Sequence, residues 1–163
     1  MLTVLQEKLG EAHGLGIAAD AAIGRVEERL PGRLLGEELD AMRLDAEELR
    51  ARCLAAERSF GEEAALEILG HANATSEKAA DLAGAWFKAG TGPLAAWSFL
   101  AMGEAAEVAA WAAMTSLAAR DGSDALLELA SWGLEVQERH LRVALEGAVR
   151  LAEAADPAAP RWG

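Results

Sequence analysis

From Ala89 to Ala119 the chain carries only two charged side chains, Glu104 and Glu107, in a run otherwise built of Ala, Leu, Trp, Met, Phe and small polar residues. A helix that is apolar on every side does not rest on a protein surface; other helices or lipid must surround it. The run is long enough to span a bilayer, but each glutamate would cost about 2–3 kcal/mol or more near its centre, and alanine drives insertion weakly. A helix buried in a bundle is the better expectation. Glu104 and Glu107 stand at i and i+3, so they share a helix face, with Trp97, Leu100, Trp111 and Met114 on the same side. Carboxylates in an apolar stripe require a metal ion, a bound proton or a basic side chain to compensate them.

The rest of the sequence fits that expectation. A chain of 163 residues suits one domain with a sizeable core. It is rich in Ala, Leu, Glu and Arg, has no Tyr and has few β-branched residues, which is the profile of an all-α protein. The net charge of −12 argues against nucleic acid and anionic membranes as partners, since phosphates need Lys and Arg opposite them. Cys53 is the only cysteine, so no intramolecular disulfide forms, in keeping with a cytoplasmic protein. Charges in MLTVLQEKLGEAHG interrupt the apolar run a signal peptide needs.

Four long helices are expected. The first runs over Leu2 to Leu30, with Leu2, Leu5, Leu9, Ala12, Gly16, Ala19, Ile23 and Val26 spaced by threes and fours. Pro31-Gly32 ends it. The second runs over Leu34 to Glu57, with a seam through Leu39, Met42, Ala46, Leu49 and Cys53. The third spans Pro93 to Arg120, with proline in its first turn. Asp121-Gly122 stops it, and Asp121 or Ser123 caps a fourth helix over Asp124 to Ala155. Between the second and third helices, short helices are expected near Glu62 to Leu69 and Ser76 to Lys88. The fold class is therefore an all-α four-helix bundle over 1–156, two antiparallel hairpins joined by a long crossover with short helices. A Pro- and Ala-rich tail over 157–163 is expected to be flexible, with Trp162 able to dock.

Di-iron carboxylate bundles take one Glu from each of two helices and a Glu-x-x-His pair from each of the other two, because i and i+3 side chains can reach one metal together. The inner face of the fourth helix presents Gln137-Glu138-Arg139-His140, the same frame with Gln in place of Glu. The second helix offers Asp45, and the third Glu104 and Glu107. On the first, His13, Asp20 and Glu27 recur every seven residues, and Asp20 best matches the single acid. With its hairpin–crossover–hairpin layout, and with FLAMGEAAEVAAW followed by LEVQERHLRVAL, the chain resembles the ferritin-like superfamily. The resemblance implies an iron or manganese site, oxygen or peroxide chemistry, and a homo-oligomer. Carried onto this sequence, Glu104, Glu107 and His140 would be ligands, Asp20 or Asp45 would complete the set, and Gln137 and Glu138 would stand behind them.

Other readings stay open. Glu104 and Glu107 could face solvent on an alanine-rich helix, or pair with arginines such as Arg25 or Arg43. His140 could be a hydrogen-bonded core histidine. His13 reads as a boundary residue, His71 as part of a turn, and Trp86, Trp97, Trp111 and Trp132 as core filling. A bundle that has lost its metal could serve as a binding or assembly module, with a small apolar ligand among Trp97, Trp111 and Met114. Cys53, on the second helix's seam, reads as an inert buried thiol. Gly90-Thr91-Gly92 lacks the strand and lysine of a phosphate loop.

Overall fold

Among the described residues, five helices make up most of the chain: α1 (Val4–Glu27), α2 (Gly36–Arg58), α3 (Glu62–Trp86), α4 (Pro93–Asp121) and α5 (Asp124–Glu153). The computed structural model describes residues 1–30, 32 and 35–158, and among these there is no strand. The expected stop at Pro31, the expected start at Leu34, and the end of the tail with Trp162 lie outside the described residues.

Local chemistry sets the helix ends. Thr3 caps α1 through a reciprocal pair of bonds: its hydroxyl accepts from the Gln6 N–H, and its own N–H donates to the Gln6 side chain. Pro93 occupies the first turn of α4, as its spacing predicts. Gly122 closes α4 at φ 80°, a left-handed conformation that glycine adopts without strain. Ser123, rather than Asp121, then caps α5 by accepting from the Leu126 N–H.

The largest departure from the sequence reading is α3. The two expected short helices are one continuous helix, and Ser76 lies inside it instead of capping it. Its Asn-Ala-Thr-Ser segment is weak in helix propensity, and packing overrides that weakness. α1 presents Gly10 and Gly14 to α3, and their missing side chains let the backbones meet. A Cβ at Gly10 would lie 2.9 Å from the Ile68 carbonyl, and one at Gly14 would overlap the backbone of Ala72. His71, expected in a turn, sits within this helix beside Gly10 and is half-buried.

α4 packs most extensively against α5, and α1 against α3 and α4. The contacts of α1 with α2 descend α2 as they climb α1: Gly16 lies against Leu49, and Glu27 meets Arg43. The buried apolar residues form two clusters. One contains Leu9, Leu49, Ile68, Trp111 and Leu129. The other contains Ile23, Leu39, Phe87, Trp97 and Leu100. Along α4, Glu104 and Glu107 fall between the two. No described helix is long and apolar enough to cross a membrane. Trp86, expected in the core, is 40% exposed, and its indole N–H bonds the Ala95 carbonyl at the α3–α4 junction.

Candidate functional site

The seam between α4 and α5 is built on a seven-residue spacing. Trp97, Glu104 and Trp111 recur every seven residues on α4, and Gly133, His140 and Gly147 do so on α5. The Trp97 ring lies over Gly147, where a Cβ would overlap it, and its indole N–H donates to the Ala144 carbonyl. The Trp111 ring lies over Gly133, where a Cβ would be 2.7 Å away. Between these two contacts, Glu104 Oε2 approaches His140 Nδ1 at 3.5 Å. The same register sets Glu107, one turn on, across from Gln137. All four polar side chains are nearly inaccessible, with Glu104 and Gln137 at 2% exposure and Glu107 and His140 at 3%.

This burial decides among the readings of the glutamate pair. Neither glutamate faces solvent, because α5 covers that face of α4. Neither of the suggested arginines reaches them: Arg43 grips Glu27 at 2.8 Å and Asp20 at 3.5 Å, and Arg25 lies 5.7 Å from the Phe87 ring centroid. The described basic contact is His140. Its other ring nitrogen, Nε2, lies 2.9 Å from Asp45 Oδ2 on α2, which also accepts from Arg139 Nη2 at 2.6 Å. A chain of polar contacts thus runs from exposed Arg139 through half-buried Asp45 to His140 and Glu104.

The electrostatics follow from the packing. Burial, and then the neighbouring Glu104 carboxylate, push the Glu107 pKa well above its ordinary value. Burial alone would lower His140, but Glu104 and Asp45 outweigh it and the pKa is raised. Burial would raise Asp45, but bonds from His140 and Arg139 outweigh it and hold the carboxyl below its usual range. Burial, then Glu57 and Glu107, drive the Cys53 thiol far up, so it stays an unreactive core residue.

These shifts fix the sign of a pH effect. Glu107 and His140 bind protons more tightly folded than unfolded, so their stabilisation is complete below their unfolded pKa values of 4.5 and 6.5 and is lost as pH rises through the folded ones. Asp45 acts oppositely: its contribution is present above 3.8 and is lost as pH falls through its depressed folded pKa. Urea midpoints at constant ionic strength should therefore fall from pH 6 to pH 9, and Glu107→Gln should flatten that fall.

The remaining polar atoms carry the chemical interest. Glu104 Oε2, Glu107 Oε2 and Gln137 Oε1 are buried without a hydrogen-bond partner, as is the indole nitrogen of Trp111. The His140 contact at 3.5 Å is too long to satisfy Glu104 Oε2. Leaving such groups unpaired is costly, each by about 1–3 kcal/mol. Among the described residues, no three His, Cys, Asp or Glu side chains are gathered closely enough to form a ready cage for a metal. Comparison with known proteins found no matching family model and no match among curated proteins or solved structures.

The other expected site residues are distributed differently. Asp45 reaches His140, as its position on α2 allows. Asp20 is exposed and tied to Arg43 at the α1–α2 edge, away from the α4–α5 seam. Glu138 is exposed on the outer face of α5, because it is one residue past inward-facing Gln137. Trp97 lies in one apolar cluster and Trp111 and Met114 in the other, with Glu104 and Glu107 between them along α4. A second buried pair was not foreseen. His13 on α1 meets Glu57 on α2 at 2.6 Å between Nδ1 and Oε1, and both side chains are 2% exposed. His13 is not a boundary residue, because it turns towards α2 and meets Glu57 there. The alternation of the second helix's seam continues from Cys53 to Ala56, so it did not mark Glu57.

Proposed function

We propose that the chain is a divergent ferritin-like protein whose α4–α5 seam holds one divalent metal ion, iron or manganese. In this reading α1, α2, α4 and α5 are the two antiparallel hairpins of the ferritin-like bundle, and α3 is its crossover, lengthened and packed on α1. The observation that supports the reading is the set of three buried oxygens without donors, on Glu104, Glu107 and Gln137. A cation bound among them would satisfy these oxygens, and it would offset both the desolvation that burial imposes on the carboxylates and their mutual repulsion.

The donor chemistry fits such an ion. Two carboxylates and an amide oxygen, with the imidazole of His140 alongside, suit iron(II) or manganese(II) better than a thiolate-seeking metal. Glu104 and Glu107 supply the negative charge and Gln137 a neutral carbonyl. Asp45 orients His140 through Nε2, and Arg139 in turn fixes Asp45. Trp97 and Trp111 bracket the Glu104–His140 contact and keep water from it. Bound iron or manganese would supply one-electron chemistry with oxygen or peroxide.

Manganese(II) titrations followed by electron paramagnetic resonance test the proposal. The wild-type chain should bind close to one ion, and Glu104→Gln with Glu107→Gln should weaken binding at least about a hundredfold, since it removes both charges. Equal uptake by wild type and variant would defeat it.

A second reading has its own support. Both ring nitrogens of His140 already face carboxylates, and the exposed positions of α4 before Arg120, among them Leu94, Met102, Ala105, Ala109 and Ala112, carry no charge. A metal-free bundle that associates with its own copies through α4 would show these features. Under it, the double Gln variant gains stability, because buried charge is removed.

A further inference from the structure

Away from the α4–α5 seam, a cleft of about 390 Å³ opens where the end of α2 meets the start of α3. Its walls are apolar, formed by Leu54, Leu66 and Leu69, and Arg58 and Glu62 stand at its rim. Leu66 is 65% exposed, although nothing in the bundle's packing requires a large apolar side chain there. Glu57 also lines the cleft, and it is 2% exposed. Its one described hydrogen-bond contact, His13 Nδ1 at 2.6 Å, engages Oε1. Glu57 Oε2 is not among the sealed, unpartnered oxygens of the interior.

We propose that this cleft binds a small amphipathic primary amine, with its ammonium group on Glu57 and its alkyl chain along Leu54, Leu66 and Leu69. An ionised carboxylate only accepts hydrogen bonds, so the head group that suits Glu57 is a donor. An ammonium supplies three N–H donors and the opposite charge, and charge-assisted bonds are the stronger kind. His13 holds the Glu57 carboxylate from behind, so little side-chain freedom is lost on binding. At the rim, exposed Glu62 and exposed Arg58 offset each other and both are screened by solvent, while the net charge of −12 favours a cation over an anion. Apolar walls with one oriented polar group are the usual composition of a small-ligand site.

The test uses the full chain with chelator present, so its outcome is independent of any metal at Glu104 and Glu107. Isothermal calorimetry would compare n-hexylamine, n-hexanol and n-hexanoate. The amine should bind saturably with Kd tighter than about 10 mM, and at least about tenfold tighter than hexanol or hexanoate. Leu66→Arg alters an exposed position, leaves the fold intact and places a cation at the rim; it should weaken amine binding at least about tenfold. Glu57→Gln should do the same, and Glu104→Gln should have no effect. Absence of saturable binding, equal binding of hexanoate, or unchanged affinity in Leu66→Arg would overturn the proposal.

Discussion

Gly147→Ala should lower the melting temperature by about 2–12 °C, through overpacking of about 1–3 kcal/mol against a rigid ring. Alanine is the better helix former by about 1 kcal/mol, so helix propensity alone predicts the opposite sign. Packing decides the outcome. The added methyl would overlap the Trp97 indole, which cannot retreat without losing its bond to the Ala144 carbonyl. Trp97 is wholly buried, so no rotamer leads it to solvent. Gly133→Ala meets Trp111 in the same way. At Gly70, where a Cβ meets nothing within 4 Å, alanine should instead leave stability unchanged or raise it. Thermal melts of the three variants, followed by far-UV circular dichroism, separate the packing effect from propensity.

His140→Leu should destabilise the metal-free chain by about 3–5 kcal/mol, the range for removing one member of a buried ionic contact. Leucine fills much the same volume, so the loss reflects Glu104 and Asp45 left without their shared imidazole. Adding Glu104→Gln should then recover at least about 1 kcal/mol, because contacting residues in one network are not additive. Asp45 keeps Arg139 and a partly exposed position, so Asp45→Asn should cost much less than His140→Leu. Urea titrations of the single and double variants, in chelator, give the coupling directly. Strict additivity would mean that Glu104 and His140 do not sense each other.

Much of the helical framework was legible in the sequence. The apolar run that became α4, the charged outer face of α5 and the proline and glycine at the helix ends are periodic or local signals, and such signals survive folding. Gln137 and His140 point inward for the same reason, since they lie opposite the exposed stripe of Glu128, Glu135, Arg142 and Glu146.

What was missed depends on which neighbour covers which face. α1 looked like a one-seam helix, but Gly10 and Gly14 admit α3 on another side, and His13 pairs with Glu57 of α2 in the interior. α3 looked like two short helices because its middle is poor in helix formers, and tertiary contact with α1 carries it through. Asp20 follows His13 by seven residues, yet the α2 side draws it to Arg43 at the edge. The pairing of Trp97, Glu104 and Trp111 with Gly147, His140 and Gly133 was present as matched seven-residue spacings. It becomes meaningful only once α4 and α5 are placed side by side.

The most direct test of the metal proposal is a crystal of the full chain grown with manganese(II), with an anomalous difference map collected near the manganese edge. The account predicts one strong peak bounded by Glu104, Glu107, Gln137 and His140, absent from crystals of the Glu104→Gln, Glu107→Gln variant. A map with no peak between α4 and α5, with Glu104 still resting on His140, would contradict it.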